Sequence, residues 1–316
     1  MHVLLASPRG FCAGVRMAVE ALDYSLGVVG SPIYVFHEIV HNRHIVERFQ
    51  GRGAIFTNSI EEVPEGATLL FSAHGVSPQV RTAAFNRRLR TIDATCPLVT
   101  KVHLEAVRFA TRGYDIVFIG HAGHDEVEGI RGEAPGRIRI VETVEDVEKL
   151  ERISDKMVYL TQTTLSLDDA ARIIKSLKER FPDIQGPAKD DICYATQNRQ
   201  NAVRELALRV ERVIVIGSQN SSNSIRLTEA AKEQGISAEL IDGLDELNLE
   251  ALKGLKSVLV TAGASAPEDL VMAVINVLKE KFGARVEEIV LEDERVHFSP
   301  PKELRGLERP THAHST

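Results

Sequence analysis

Cysteine is scarce here: the 316-residue chain carries three, Cys12, Cys96 and Cys193. An odd thiol count with no recognisable leader excludes a disulfide framework and fits reduced cysteines in the cytoplasm. No apolar run approaches the ~18 residues a membrane helix needs. The opening MHVLLAS reads as a strand, with no charged n-region or cleavage site. Excess positive charge is missing too. Thirty-eight Lys+Arg against 45 Asp+Glu give a net charge of −7, which argues against nucleic acid as a partner. The one basic stretch, RTAAFNRRLR at 81–90, reads as a solvated helix face. No phosphate-binding P-loop, dinucleotide fingerprint or C-x2-C-x2-C run occurs.

What is present is a globular composition, 43% hydrophobic and 26% charged, in a chain long enough for two or three subdomains. Short apolar runs predict strands at His2–Ala6, Ile33–Phe36, Thr68–Ser72, Asp115–Ile119, Met157–Thr161, Val213–Ile216 and Ser257–Thr261. They are continuously apolar, as parallel strands covered on both faces are. Amphipathic segments at Val15–Leu26, Leu98–Thr111, Leu167–Arg180, Gln197–Val210 and Ser224–Gln234 predict helices between them. The rhythm is that of an α/β fold, with mainly parallel sheets and right-handed crossovers. Cysteine placement suggests three similar subdomains, 13–96 (with an N-terminal strand in 1–12), 97–189 and 190–281, then a C-terminal extension, 282–316. PAKDD at 187–191 is the best boundary signal, and the polar tail after Leu304 is expected to be disordered.

Each cysteine follows a strand-like run and a small turn and leads into a helix: PRGFCAGV, DATCPLVT, DDICYATQ. Thiols so far apart can meet only if three subdomains turn strand ends to one point. A thiol at a helix N-terminus is expected to have a lowered pKa. Three thiolates would bind zinc, or an iron–sulfur cluster with one iron left open as a Lewis acid. Three inert buried thiols are the plainer alternative.

Other predicted strands end in small polar loops: FSAHGVS, IGHAGHDEVEG, LTQTTLS, IGSQNSSNS and TAGASAP. Such loops offer N–H groups and hydroxyls to an anion, although each alone could be an ordinary helix cap. His41, His74, His121 and His124 sit in similar places and suggest donors to a charged ligand. The pattern His121-x-x-His124-x-Glu126 has ligand types that zinc would accept. Glu126 reads either as a surface carboxylate or as a proton donor beside a polar ligand.

These stretches, with VFHEIVHNR, DATCPLVTKVH and DDICYATQNRQ, resemble the 4-hydroxy-3-methylbut-2-enyl diphosphate reductase family, in that family's order from Arg9 to Pro267. The resemblance implies three α/β units around a central cavity and one 4Fe–4S cluster per chain, held by Cys12, Cys96 and Cys193 with one iron open. It implies a diphosphate pocket of His41, His74, His124, Ser221, Ser222, Asn223 and Ser265. Thr163 would lie near the substrate hydroxyl, and Glu126 would deliver protons; His121 receives no role. The reaction implied is a two-electron reductive removal of an allylic hydroxyl, giving isopentenyl and dimethylallyl diphosphate. With no nicotinamide or flavin fingerprint, electrons are expected from flavodoxin or ferredoxin. Two rivals are a zinc-dependent hydrolase or isomerase of a phosphorylated metabolite, and a non-catalytic iron–sulfur sensor of isoprenoid diphosphates.

Overall fold

Side chains alternate between the two faces of a strand, so a run that is apolar at every position must be covered on both. The computed structural model, which describes residues 1–307, shows this throughout. The first elements are β1 (His2–Ser7), α1 (Ala13–Val28), β2 (Ile33–Phe36), α2 (Arg43–Gln50), β3 (Ala54–Thr57), β4 (Thr68–Phe71), α3 (Pro78–Asn86) and β5 (Arg90–Asp93). Next come α4 (Pro97–Thr111), β6 (Asp115–Ile119), α5 (Asp125–Glu133), β7 (Ile138–Val141), α6 (Val144–Lys149), β8 (Met157–Thr161) and α7 (Leu167–Arg180). The last are α8 (Tyr194–Ala207), β9 (Arg212–Ile216), α9 (Ser222–Glu233), β10 (Ser237–Ile241), β11 (Ser257–Ala262), α10 (Glu268–Phe282) and β12 (Arg285–Val290).

These strands make three sheets, ordered β3-β2-β4-β5, β7-β6-β8 and β10-β9-β11-β1-β12, with every pairing parallel. Each contains the same three-strand order: a first strand in the centre, the second on one side and the third on the other. Each sheet has an apolar cluster on both faces. In the middle sheet Ile116, Phe118, Val158 and Leu160 face one side, while Val117, Ile119 and Met157 face the other. Fully burying one such side chain is worth about 1.5–3 kcal/mol.

Three expectations need correction. The N-terminal strand, placed with the first subdomain, pairs instead between β11 and β12 of the third sheet. An apolar run buried on both faces needs an interior position, and the third sheet supplies one. The basic stretch 81–90 is not one helix face: α3 stops at Asn86, Arg88 turns with a positive φ of 56°, and Arg90 begins β5. The helix read as Gln197–Val210 starts one turn earlier, directly after Cys193. The end of the chain expected to be disordered lies, from residue 308 on, outside the described residues; before that, Leu304 is buried against the first sheet's core.

Candidate active site

The three thiols occupy equivalent positions. Cys12, Cys96 and Cys193 are the residues immediately before α1, α4 and α8. Cys12 Sγ accepts from Val15 N at 3.5 Å, and Cys193 Sγ from Thr196 N at 3.4 Å, with Thr196 Oγ1 at 3.1 Å. None is in a disulfide. Cys96 and Cys193 do not show the expected lowering of thiol pKa by the helix N-terminus. Burial, and then neighbouring Cys12, push Cys96 up to about 12 and Cys193 up to about 11. Loss of hydration outweighs the helix dipole. Thiols so placed ionise when a metal cation replaces their protons. The backbone makes room at Gly14, where a Cβ would come within 2.5 Å of Cys96 Sγ and 3.9 Å of Cys12 Sγ.

Glu126, in the first turn of α5, is 2% exposed. Its Oε1 accepts from Thr163 N at 2.8 Å and its Oε2 from Thr163 Oγ1 at 3.0 Å. Burial raises its pKa to about 7; the two Thr163 hydrogen bonds pull it down and Asp191 pushes it up. The carboxyl therefore exchanges a proton near neutrality, as a general acid must. It is not the surface carboxylate of the plainer reading.

Beside it, the His41 and His74 rings stack 3.9 Å apart at 14°, and His124 meets them edge-on at 5.3 and 6.0 Å. His124 Nδ1 accepts from Glu126 N at 3.1 Å, which assigns the ring proton to Nε2 and makes that atom a donor. Burial, then neighbouring His41, lowers the pKa of His74 well below the ordinary imidazole range and that of His124 to about 3. A cluster of imidazoles that resists protonation alone gains charge readily beside an anion.

The zinc pattern read from His121, His124 and Glu126 is not assembled. Glu126 is held by Thr163, while His121 turns to Gln162 and Arg226. His41, His74 and Asp125 do offer ligand atoms within 4.8 Å of one another. However, imidazole lone pairs lie in the ring planes, and two nearly parallel stacked rings cannot both aim theirs at one ion.

Ser221 Oγ lies 3.4 Å from Ser265 Oγ, and Ser265 Oγ donates to His41 O at 2.9 Å. Ser222 Oγ donates to Thr164 O at 2.9 Å. Asn223 Nδ2 donates to Thr196 Oγ1 at 3.1 Å, and its Oδ1 accepts from Ala264 N at 2.9 Å. The Asn223–Thr196 bond ties the start of α9 to the helix turn that carries Cys193.

The three thiols, His41, His74 and His124, Ser221, Ser222 and Ser265, with Asn223, Glu126 and Thr163, line one cavity of about 100 Å³, and His121 does not. Their position follows from topology. In each sheet the chain reverses direction between the first and third strands, and ligands of open parallel sheets bind outside such points. The loops after β2 and β4 bring His41 and His74. Those after β6 and β8 bring His124, Glu126 and Thr163, and those after β9 and β11 bring Ser221–Asn223 and Ser265. Residues the sequence reading did not single out also reach the cavity wall, among them Thr164, Tyr194, Thr196 and Phe298. Thr164 and Thr196 could have been found by adjacency to Thr163 and one turn from Cys193. Phe298, in the C-terminal segment, carried no pattern at all.

A triple α/β fold that points three thiols, a buried acid and an imidazole–hydroxyl cluster into one cavity defines an enzyme-like class built around a shared polar site. The chain belongs to the LytB protein family, whose model matches residues 3–279. It is 56% identical to a 4-hydroxy-3-methylbut-2-enyl diphosphate reductase of Rhodopirellula baltica, over 97% of either chain. It is 53% identical to one of Methylococcus capsulatus, over 97% of this chain and 99% of the other. The solved structure of the E-1-hydroxy-2-methyl-but-2-enyl-4-diphosphate reductase from Plasmodium falciparum superposes with a TM-score of 0.94 at 39% identity, covering 96% of each chain. A second solved structure, a (E)-4-hydroxy-3-methyl-but-2-enyl diphosphate reductase described as the terminal enzyme of the non-mevalonate pathway, gives 0.64 at 32% identity, over 89% of this chain and all of the other.

Proposed function

We propose that this protein is a 4-hydroxy-3-methylbut-2-enyl diphosphate reductase. It removes the allylic hydroxyl of its substrate with two electrons and two protons, and releases isopentenyl and dimethylallyl diphosphate. The reading is carried by one observation: Glu126, its pKa raised to about 7, lines the same cavity as three thiols and the imidazole–serine cluster. Relatives named for this reaction at 56% and 53% identity support it.

Cys12, Cys96 and Cys193 would hold a 4Fe–4S cluster. The fit rests on three half-buried thiols at one cavity, a side-chain-free approach at Gly14, and the absence of a fourth cysteine from the sequence. Such a cluster supplies electrons one at a time. The protein's own groups do the rest. His41, His74 and His124, with Ser221, Ser222, Asn223 and Ser265, bind the diphosphate and fix the orientation of the hydrocarbon end. Val15, Val40, Leu98 and Val99 give that end an apolar wall that keeps water out. Thr163 lies between Glu126 and the substrate hydroxyl. One proton passes from Glu126, directly or through Thr163 Oγ1 3.0 Å away, to the departing oxygen, which leaves as water, and the second goes to one end of the allyl fragment, which sets which of the two products forms. Electrons come from a separate reduced carrier such as flavodoxin or ferredoxin, because the sequence carries no nicotinamide or flavin fingerprint.

A non-catalytic sensor fits less well, since a carboxyl placed to give up a proton adds nothing to holding an anion. Anaerobic iron and acid-labile sulfide analysis of Cys12→Ser, Cys96→Ser and Cys193→Ser tests the centre. Each variant should lose stable cluster binding while keeping its fold. Full iron content and activity in all three would refute the assignment, and zinc without sulfide in the parent would favour the hydrolase reading.

A further inference from the structure

His121 shares its loop with His124 and Glu126 but does not line their cavity. It lines a separate cleft of about 520 Å³ with Glu142, Asp169 and Arg226. Its backbone N–H donates to Gln162 Oε1 at 3.0 Å, and its Nδ1 lies 3.4 Å from the same oxygen. Gln162 Oε1 is acceptor only, so Nδ1 carries the ring proton and Nε2 presents a lone pair. That lone pair meets Arg226 Nη2, from the second turn of α9. Burial and then the Arg226 charge lower the His121 pKa, which keeps the ring neutral.

The contact closes a ring of bonds between two subdomains. Gln162, fully buried at the end of β8, donates through Nε2 to Thr164 Oγ1 at 3.0 Å. Thr164 O accepts from Ser222 Oγ at 2.9 Å, at the first turn of α9. From Ser222 the helix leads to Arg226 and back to His121. Arg226 has only 14% of its side chain exposed, and its other terminal nitrogen, Nη1, meets Glu229 and lies 3.9 Å from Asp169 of α7. Its Nε is buried without a hydrogen-bond partner. A guanidinium held at that cost is restrained on several sides at once.

We propose that Arg226 and His121 form an intersubdomain latch: a positioning pair that holds the loop bearing His124 and Glu126 at its working distance from Ser221, Ser222 and Asn223. It rests on the functional reading above and adds to it the device that sets the width of the pocket. Neither residue touches the substrate. Both are stationed where the anion pocket is assembled from the second and third sheets, so loosening the latch should weaken diphosphate binding rather than the chemical step.

The test uses anaerobically reconstituted holoenzyme, a low-potential chemical reductant and the allylic diphosphate. Arg226→Gln and His121→Phe should each raise KM about tenfold and change kcat less than about threefold, with cluster content unchanged. The double variant should be no worse than the worse single one, because both remove the same contact. His121→Gln, which keeps an acceptor near the Nε2 position, should recover most of the lost affinity. Unchanged KM in both single variants, or KM losses that multiply in the double variant, would overturn the latch while leaving the functional reading intact. A parent holoenzyme that neither binds inorganic diphosphate nor turns over substrate would overturn both.

Discussion

Glu126, His74 and His124 are displaced from their ordinary ionisation in opposite senses, and each displacement has a measurable consequence. For Glu126 the folded pKa, about 7, lies above the ordinary 4.5. Its contribution to stability is therefore fully present below 4.5 and lost as pH rises through 7. Glu126→Gln should flatten the fall in apoprotein melting temperature over that interval. It should also cut turnover about a hundredfold or more while leaving KM and cluster content near parental values. A variant that turns over at the parental rate would move the proton source elsewhere, to the diphosphate or a water chain through Thr163. The histidines behave oppositely, with folded pKa values below the ordinary 6.5, so the empty pocket loses stability as pH falls through 6.5. An anion should reverse that preference. Titration calorimetry near neutral pH, in buffers of different ionisation enthalpy, should show proton uptake on diphosphate binding; release would contradict the placing of His74 and His124 beside the anion.

At the scale of elements, three helix N-termini carry the thiols, and the helices were legible from their apolar patterning; the strand read before each cysteine is β1 for Cys12 and the short β5 for Cys96, but no strand lies between α7 and Cys193. The long central strands were legible for the same reason: β6 is buried at all five positions and four of the five β9 positions are buried. Most edge strands were not, β8 excepted. β3, β5 and β7 have four residues each, with one or more turned toward solvent, and β10 and β12 are mostly part-exposed. Four alternating residues do not separate a strand from a loop. The short helices α2, α5 and α6 escaped likewise, at 6 to 9 residues. The close approach of α1 to α4 hangs on Gly14. A methyl 2.5 Å from Cys96 Sγ must push the helices apart. Gly14→Ala should lower iron and sulfide content of anaerobic preparations by more than half, with the secondary structure intact by circular dichroism. Full occupancy would mean that the thiols do not need the close packing seen here.

Across the whole molecule, the same three-strand order is used three times, and each use turns its reversal point inward. That convergence was legible from cysteine spacing and loop chemistry. Which hydroxyls and imidazoles would share the pocket was not, because they arrive on loops from three sheets and only the family resemblance joined them. The crossing of β1 into the third sheet was likewise hidden, since register between strands more than 250 residues apart leaves no local signal. Nor did the sequence show the C-terminal segment's part. Glu294 accepts from fully buried Arg199 at 2.9 Å, and Phe298 of the same segment reaches the cavity.

The account's central claim is that this cavity removes a hydroxyl reductively and leaves the diphosphate untouched. The direct measurement is product analysis after anaerobic incubation of the reduced protein with 4-hydroxy-3-methylbut-2-enyl diphosphate. The account predicts isopentenyl and dimethylallyl diphosphate together, dependent on the reductant, with no inorganic phosphate or diphosphate released. Recovery of unchanged substrate, or of free phosphate without any need for reductant, would contradict it.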